Sequence, residues 1–249
     1  FEDTDGGEQI YAGPMAVLVN LASASASEIY SAAIQDYERG IIIGSTTTGK
    51  GTAQVQLDSL AHGQATLTQR KFYRVTGGST QNKGVIPDIK LVDIYNEEFG
   101  ERKAKNALKW DTIPTAPFKR EGSVQPYIAK LTQSSEQRVK ADSQFNYLEA
   151  RKLIAQKSSD QKKVELDIAQ RRAELIDLEK QTLNAENQRR IATGQAPYAN
   201  WESYQASIDA LIESRAKMKA YARPALPEEE TFITEAANIL IDYAKLQSH

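Results

Sequence analysis

The chain has 249 residues, of which 40% are hydrophobic and 26% charged, and its formal net charge is -2. That balance suits an ordinary globular protein of one large domain or two smaller ones, and it gives no electrostatic footprint for nucleic acid or a membrane surface. The absence of cysteine excludes disulfides, thiolate metal sites and a cysteine nucleophile, and two histidines, His62 and His249, leave little for a metal centre or a Ser-His-Asp arrangement.

In chain order, Phe1-Glu2-Asp3-Thr4-Asp5-Gly6-Gly7 shows neither an initiator methionine nor a leader pattern, so a processed chain or a piece of something longer is expected. The breaker pair Gly13-Pro14 precedes a short apolar run that predicts a buried strand over 15–20. Helical spacing of Ile29, Ala32, Ala33 and Ile34, with Glu28 in the first turn and Gly40 as a stop, predicts a helix over 25–38. Ile41-Ile42-Ile43 predicts a second buried strand, and alternation predicts two more over 52–57 and 65–75. Strand–helix–strand with continuously apolar strands points to an α/β fold around a covered, parallel sheet.

Beyond about 120 glycine nearly vanishes, and Gln, Lys, Glu, Arg, Ala and Leu predominate, which predicts helices. Val164, Ile168, Leu175 and Leu178 mark one face of a long helix expected over 158–190. Thr193-Gly194-Gln195-Ala196-Pro197 interrupts it, and Pro227-Glu228-Glu229-Glu230 opens a final one.

Two segments carry candidate chemistry. Ser23-Ala24-Ser25-Ala26-Ser27 lies between a strand and a helix, where a serine serves either as an N-cap or as a nucleophile whose oxyanion is met by free helix N–H groups. Gly44-Ser45-Thr46-Thr47-Thr48-Gly49-Lys50-Gly51 has the Gly-x4-Gly-Lys outline of a phosphate-binding loop. However, Gly51 replaces the magnesium-binding hydroxyl, and a strand rather than a helix follows. Lys50 is alternatively a solvated lysine or a general base, the latter requiring a setting that favours its neutral form.

Together, Ser23-Ala24-Ser25-Ala26-Ser27-Glu28-Ile29, Gly49-Lys50-Gly51-Thr52 and Gln54 resemble the S41 peptidases. Three further stretches are similar to the tail-specific type of C-terminal processing peptidase within that family: Lys71-Phe72-Tyr73-Arg74-Val75-Thr76-Gly77-Gly78-Ser79-Thr80-Gln81, Gly84-Val85-Ile86-Pro87-Asp88-Ile89, and Asn106-Ala107-Leu108-Lys109-Trp110-Asp111. The likeness is dense over 9–111 and looser beyond, where the helical layout and the Glu229-Glu230-Thr231-Phe232 helix carry it. It implies a partial S41 protease core over 1–115, a crotonase- or ClpP-like β-α-β sheet, followed by a mostly α-helical C-terminal domain over 116–249.

By the same resemblance, Ser25 is the implied nucleophile, Lys50 the general base, Gln54 the amide that holds the lysine, and the Ala26 backbone N–H an oxyanion donor. No cofactor or metal is implied. The implied substrates are proteins with apolar C-terminal tails, the implied partner is a lipoprotein adaptor, and the implied compartment is the periplasm. Family members are longer, with a PDZ domain that takes substrate C-termini by strand addition and further core strands that bring a second oxyanion donor. This chain alone is therefore expected to have little or no activity, and its incomplete sheet to leave an edge and an apolar face exposed, so that it self-associates or awaits a missing partner segment. The rival expectation treats the helical half as an adaptor-docking module rather than a buttress.

Overall fold

Three consecutive isoleucines set the centre of the molecule. The computed structural model describes residues 10–57, 60, 62–95, 100–219 and 222–248, and in it Ile41, Ile42 and Ile43 have no exposed surface. They form β2 (Ile41–Gly44), flanked by β1 (Ala16–Val19) and β5 (Ile89–Lys90) in a parallel sheet of order β1-β2-β5. Ala16 pairs with Ile41, and Ile43 with Ile89. A strand covered on both faces can be apolar throughout, and each buried isoleucine contributes about 1.5–3 kcal/mol.

The two faces use alternate residues. Ile42 packs with Val19, Val85 and Ala32 of helix α1 (Ala26–Asp36). Ile41, Ile43, Ile89 and Leu91 share a second cluster with Val124, Leu131, Phe145, Leu148, Ile239 and Tyr243. The latter residues come from the second half of the chain, chiefly helices α2 (Gln125–Ala141), α3 (Ser143–Asp160) and α6 (Pro227–Gln247). The sheet is thus the middle layer of three, and the helical half supplies one outer layer. The apolar face expected to lie open is covered. The outer edge of β1 has no pairing strand among the described residues, and Leu18 on it is exposed.

Helix α1 ends earlier than Gly40. Glu38 takes φ 51°, and its carboxylate accepts the Val124 N–H at 3.1 Å and pairs with Arg120 at 2.9 Å. This ties the end of α1 to the start of α2. Asp88, just before β5, accepts the Ile42 N–H at 2.8 Å and the Gln35 side-chain amide at 2.9 Å. Burial nevertheless holds its pKa above the ordinary carboxylate value.

β3 (Thr52–Leu57) and β4 (Ala65–Lys71) form a separate antiparallel ribbon, bulged between Ala53 and Gln54 and largely exposed. β4 stops short of 75 because Arg74 turns its guanidinium onto Asp36 at 2.5 Å and its backbone N–H onto Gly78. In the helical half, Arg138 of α2 bonds Glu235 and Asp242 of α6 at 2.8 and 2.7 Å. Glu229 accepts the Leu226 N–H at 2.7 Å and starts α6 at Pro227, as its proline and acidic residues predict.

The helix expected over 158–190 is corrected. α3 ends at Asp160, residues 161–167 are non-helical, and α4 (Ile168–Ala192) begins where Asp167 caps the Gln170 N–H at 2.9 Å. Asp167 satisfies one of the N–H groups left without a partner at the new helix start. Val164 therefore falls in the connection, and of its supposed face only Leu178 is partly buried. α5 (Trp201–Ala216) follows the interruption at Gly194.

Candidate active site

In an open parallel sheet the loops leaving the carboxyl ends of the strands are the usual place for chemistry. Here the loop after β1 carries Ser25 and the loop after β2 carries Lys50. The two run side by side: Ser45 N–H bonds the Val19 carbonyl, Thr48 N–H bonds the Ser23 carbonyl, and Thr48 Oγ1 bonds the Leu21 carbonyl. Gly44 permits the crossing. Its φ is 129°, and a Cβ there would lie 1.9 Å from the Val19 oxygen.

Ser25 is the N-cap of α1, with φ 54° and ψ -111°. A residue with a side chain in that region is strained, and such strain concentrates where a side chain must be presented for a purpose. Its hydroxyl makes no capping bond, so it is not spent on the helix. The neighbouring Ser23 is spent locally, its Oγ accepting the Asn20 N–H at 3.1 Å. Ala26 follows at the exposed first helical position, and its N–H has no acceptor among the described residues. It points a free donor out of a helix N-terminus.

The residue that unites the site is Glu28, which has no exposed surface. Its Oε2 accepts the Ser25 N–H at 2.9 Å and the Lys50 N–H at 2.8 Å. Its Oε1 accepts the Gly49 N–H at 2.7 Å and the Thr47 hydroxyl. One carboxylate oxygen therefore holds the main chains of both candidate residues. Only the local half of this role is legible from sequence, as the Ser-x-x-Glu spacing of a capping box.

The same contacts decide against the phosphate-loop reading. The Gly49 and Lys50 amides that would cradle a phosphate already face a buried carboxylate, and β3 rather than a helix follows Gly51.

Lys50 is half-buried, and its amine has no ion pair or hydrogen bond among the described residues. No hydrogen bond joins it to Ser25 Oγ in this structure. The fold brings their backbones together, and catalytic side-chain contacts commonly tighten only when substrate binds. Gln54 lies apart, on the exposed ribbon, with its amide turned to Thr68 Oγ1 at 3.5 Å and not to Lys50. A groove of about 400 Å³ opens beside Ser23 at the carboxyl ends of β1 and β2, with Leu18, Ile94, Phe232 and Ile233 among its lining.

The chain matches the model of peptidase family S41 over residues 1–91 and that of the C-terminal domain of tail specific protease (DUF3340) over residues 94–245. It is 42% identical over 186 residues to the tail-specific protease of Haemophilus influenzae, covering 70% of this chain and 26% of that protein. It is 43% identical over 86 residues to the carboxy-terminal-processing protease of Bartonella bacilliformis, covering 34% of this chain and 20% of that one. Among solved structures, the photosystem II D1 C-terminal processing protease aligns at 39% identity over 31% of this chain and 20% of its own, with a TM-score of 0.29. The chain thus spans about a quarter of the Haemophilus relative's length. With an S41 match followed by a tail-specific C-terminal domain match across most of its length, the chain belongs to the tail-specific protease branch of peptidase family S41.

Proposed function

We propose that this chain carries the nucleophile and base of a serine endopeptidase that processes or degrades proteins recognised by their C-termini. The observation that carries the proposal is the pairing of a strained, uncommitted Ser25 with the Lys50 loop on the single buried carboxylate of Glu28. Ser25 Oγ attacks the scissile carbonyl carbon while Lys50 Nζ takes its proton, and the Ala26 N–H donates to the oxyanion. When the C–N bond breaks, Lys50 returns that proton to the leaving amine, which leaves an ester on Ser25. Water then attacks the ester, giving one proton through Lys50 back to Ser25. Gln54 acts on the lysine amine only if the ribbon swings toward it. The groove beside Ser23 suits an apolar substrate tail.

The relatives are named tail-specific and carboxy-terminal-processing proteases, and the periplasmic setting and the lipoprotein adaptor come from the family resemblance. α2 and α6 are committed to the sheet, which leaves the α4–α5 side, with exposed Ile176, Ile191 and Ile212, as the surface offered to an adaptor. Because a second oxyanion donor and a substrate platform belong to other parts of family members, this chain alone is expected to turn over little. Loss of one oxyanion donor costs about 10²–10³ in rate.

The test is labelling of Ser25 by a fluorophosphonate, which needs an activated hydroxyl but no substrate platform, beside degradation of an unfolded protein with an apolar C-terminus. The expected result is Lys50-dependent labelling with negligible degradation. Labelling that survives Lys50→Ala unchanged sinks the dyad, and rapid Ser25-dependent degradation sinks the expectation of inactivity.

A further inference from the structure

Glu28 holds the Lys50 loop from the α1 side, but a second group of residues holds it from the other. The turn at 81–82 lies directly against it. A Cβ on Gly51 would sit 2.6 Å from the Gln81 backbone nitrogen, and one on Gly49 would sit 3.0 Å from the Asn82 carbonyl carbon. Asn82 N–H donates to the Gly49 carbonyl at 2.8 Å. Gln81, fully buried, accepts the Gly51 N–H on Oε1 at 2.8 Å and donates from Nε2 to Glu101 Oε1 at 3.1 Å. Glu101 closes the circuit by donating its own N–H to the Thr48 carbonyl at 2.9 Å, and the next residue, Arg102, donates from Nη2 to the Thr47 carbonyl at 3.2 Å.

The peptide units before and after Lys50 are therefore each fixed by a buried side chain, Glu28 at the Lys50 amide and Gln81 at the Gly51 amide. The orientation of Gln81 is set from outside the peptidase segment. Its amide can present oxygen to Gly51 only because its nitrogen has an acceptor, and that acceptor is the Glu101 carboxylate. Glu101 opens a 3-10 turn over Glu101–Lys103, within the stretch matched by the C-terminal domain model and beyond the S41 match.

We propose that Glu101 and Gln81 are positioning residues for Lys50, through which the C-terminal domain fixes the lysine loop. The proposal rests on the reading of Lys50 as the base. It makes the chain beyond the S41 match part of the catalytic apparatus by mechanical coupling: residues 101–102, ahead of the helices that cover the sheet, help to set the peptide units that aim the lysine.

The experiment uses the full 249-residue chain with isotope-labelled lysine and backbone nitrogen. Three quantities are read in each variant: hydrogen exchange of the Gly51 amide, the titration midpoint of Lys50 from its Cε resonance, and the pH profile of Ser25 labelling by a fluorophosphonate. For Glu101→Ala, exchange of Gly51 is expected to accelerate on the order of tenfold, as for loss of one net hydrogen bond. The Lys50 midpoint and the labelling profile are expected to move together. Glu101→Gln keeps an oxygen acceptor and restores all three, whereas Gln81→Met breaks the link at its other end and reproduces the defect.

Arg138→Ala, remote in α2, serves as the control for general destabilisation. Unchanged Gly51 exchange in Glu101→Ala overturns the proposal. So does faster exchange with the Lys50 midpoint and labelling unmoved, or an equal midpoint shift in Arg138→Ala. Failure of the dyad itself shows separately, as equal labelling of wild type and Lys50→Ala, because the exchange measurement does not depend on chemistry.

Discussion

Replacing Glu28 by glutamine tests the site at its most connected atom. The carboxylate accepts from Ser25 N–H, Lys50 N–H, Gly49 N–H and Thr47 Oγ1 with no solvent to share the load. An amide of the same shape offers one accepting oxygen, so whichever way it turns, two of the four donors meet an NH2 group. If the NH2 faces Gly49 and Thr47, the threonine oxygen can accept from it beside the Val85 N–H that it already accepts at 2.7 Å, but the buried threonine proton and the Gly49 N–H lose their acceptor. Hydrogen bonds to a charged group contribute about 1.5–3 kcal/mol each, so losing two costs about 3 kcal/mol or more. For a domain of this size that corresponds to a fall in melting temperature of roughly 6–12 °C.

Urea unfolding measures the stability, and fluorophosphonate labelling of Ser25 under conditions where the variant stays folded measures the site. The expected outcome is a loss of this size together with slowed labelling, since the loops that present Ser25 and Lys50 are no longer held on one atom. A Glu28→Gln chain within 1 kcal/mol of wild type that labels at the wild-type rate would refute the assignment.

Arg138→Ala leaves Glu235, only 4% exposed at its side chain, without its cation. It should cost about 3 kcal/mol in urea unfolding, the low end for breaking a buried pair, and leave Ser25 labelling of the folded chain unchanged. Asp88 supplies a pH test with a definite sign. Burial raises its folded-state pKa above the unfolded value, so the stability gained from its proton is fully present below the ordinary carboxylate range and is lost as pH rises through the raised value. In that window wild type should lose stability relative to Asp88→Asn as pH increases, and an opposite slope in paired denaturation curves would exclude burial as the dominant effect.

What could be read from the sequence was local and strongly patterned. β1, α1 and β2 announce themselves through an apolar run, helical spacing and three isoleucines, and α6 through Pro227 and its acidic first turn. β5 does not. Two residues, Ile89 and Lys90, are a strand only because β2 lies beside them, and no periodicity exists over such a length. The face assigned to Val164, Ile168 and Leu175 failed because all three are exposed, so their spacing recorded no packing. At the site, the place of Ser25 at a helix start was legible, but its left-handed backbone was not. Glu28 could be read as a capping residue, while its bonds to Gly49 and Lys50 join segments remote in sequence. Gln81 stood only as the last residue of a stretch that carries the resemblance, with nothing to mark its role, since a buried glutamine is recognised only by what surrounds it.

The helical half looks detachable by composition, but the sheet argues otherwise. Ile41 and Ile43 point to the face opposite Ile42, so a strand that is apolar at every position commits the protein to two covering layers. α1 covers one face, and α2, α3 and α6 cover the other. Removing the helices would expose two fully buried isoleucines and Ile89 beside them, at about 1.5–3 kcal/mol each, on a total stability of about 5–15 kcal/mol for a typical domain. The damage would not stop at the face. Gly44 ends β2 and begins the loop to Lys50, and the Leu91 N–H bonds its carbonyl at 2.8 Å. A sheet loosened on the helical side therefore loosens the start of the lysine loop. Covering the sheet and holding the lysine are two consequences of one packing arrangement, and for that reason the two halves of this chain form one structural unit.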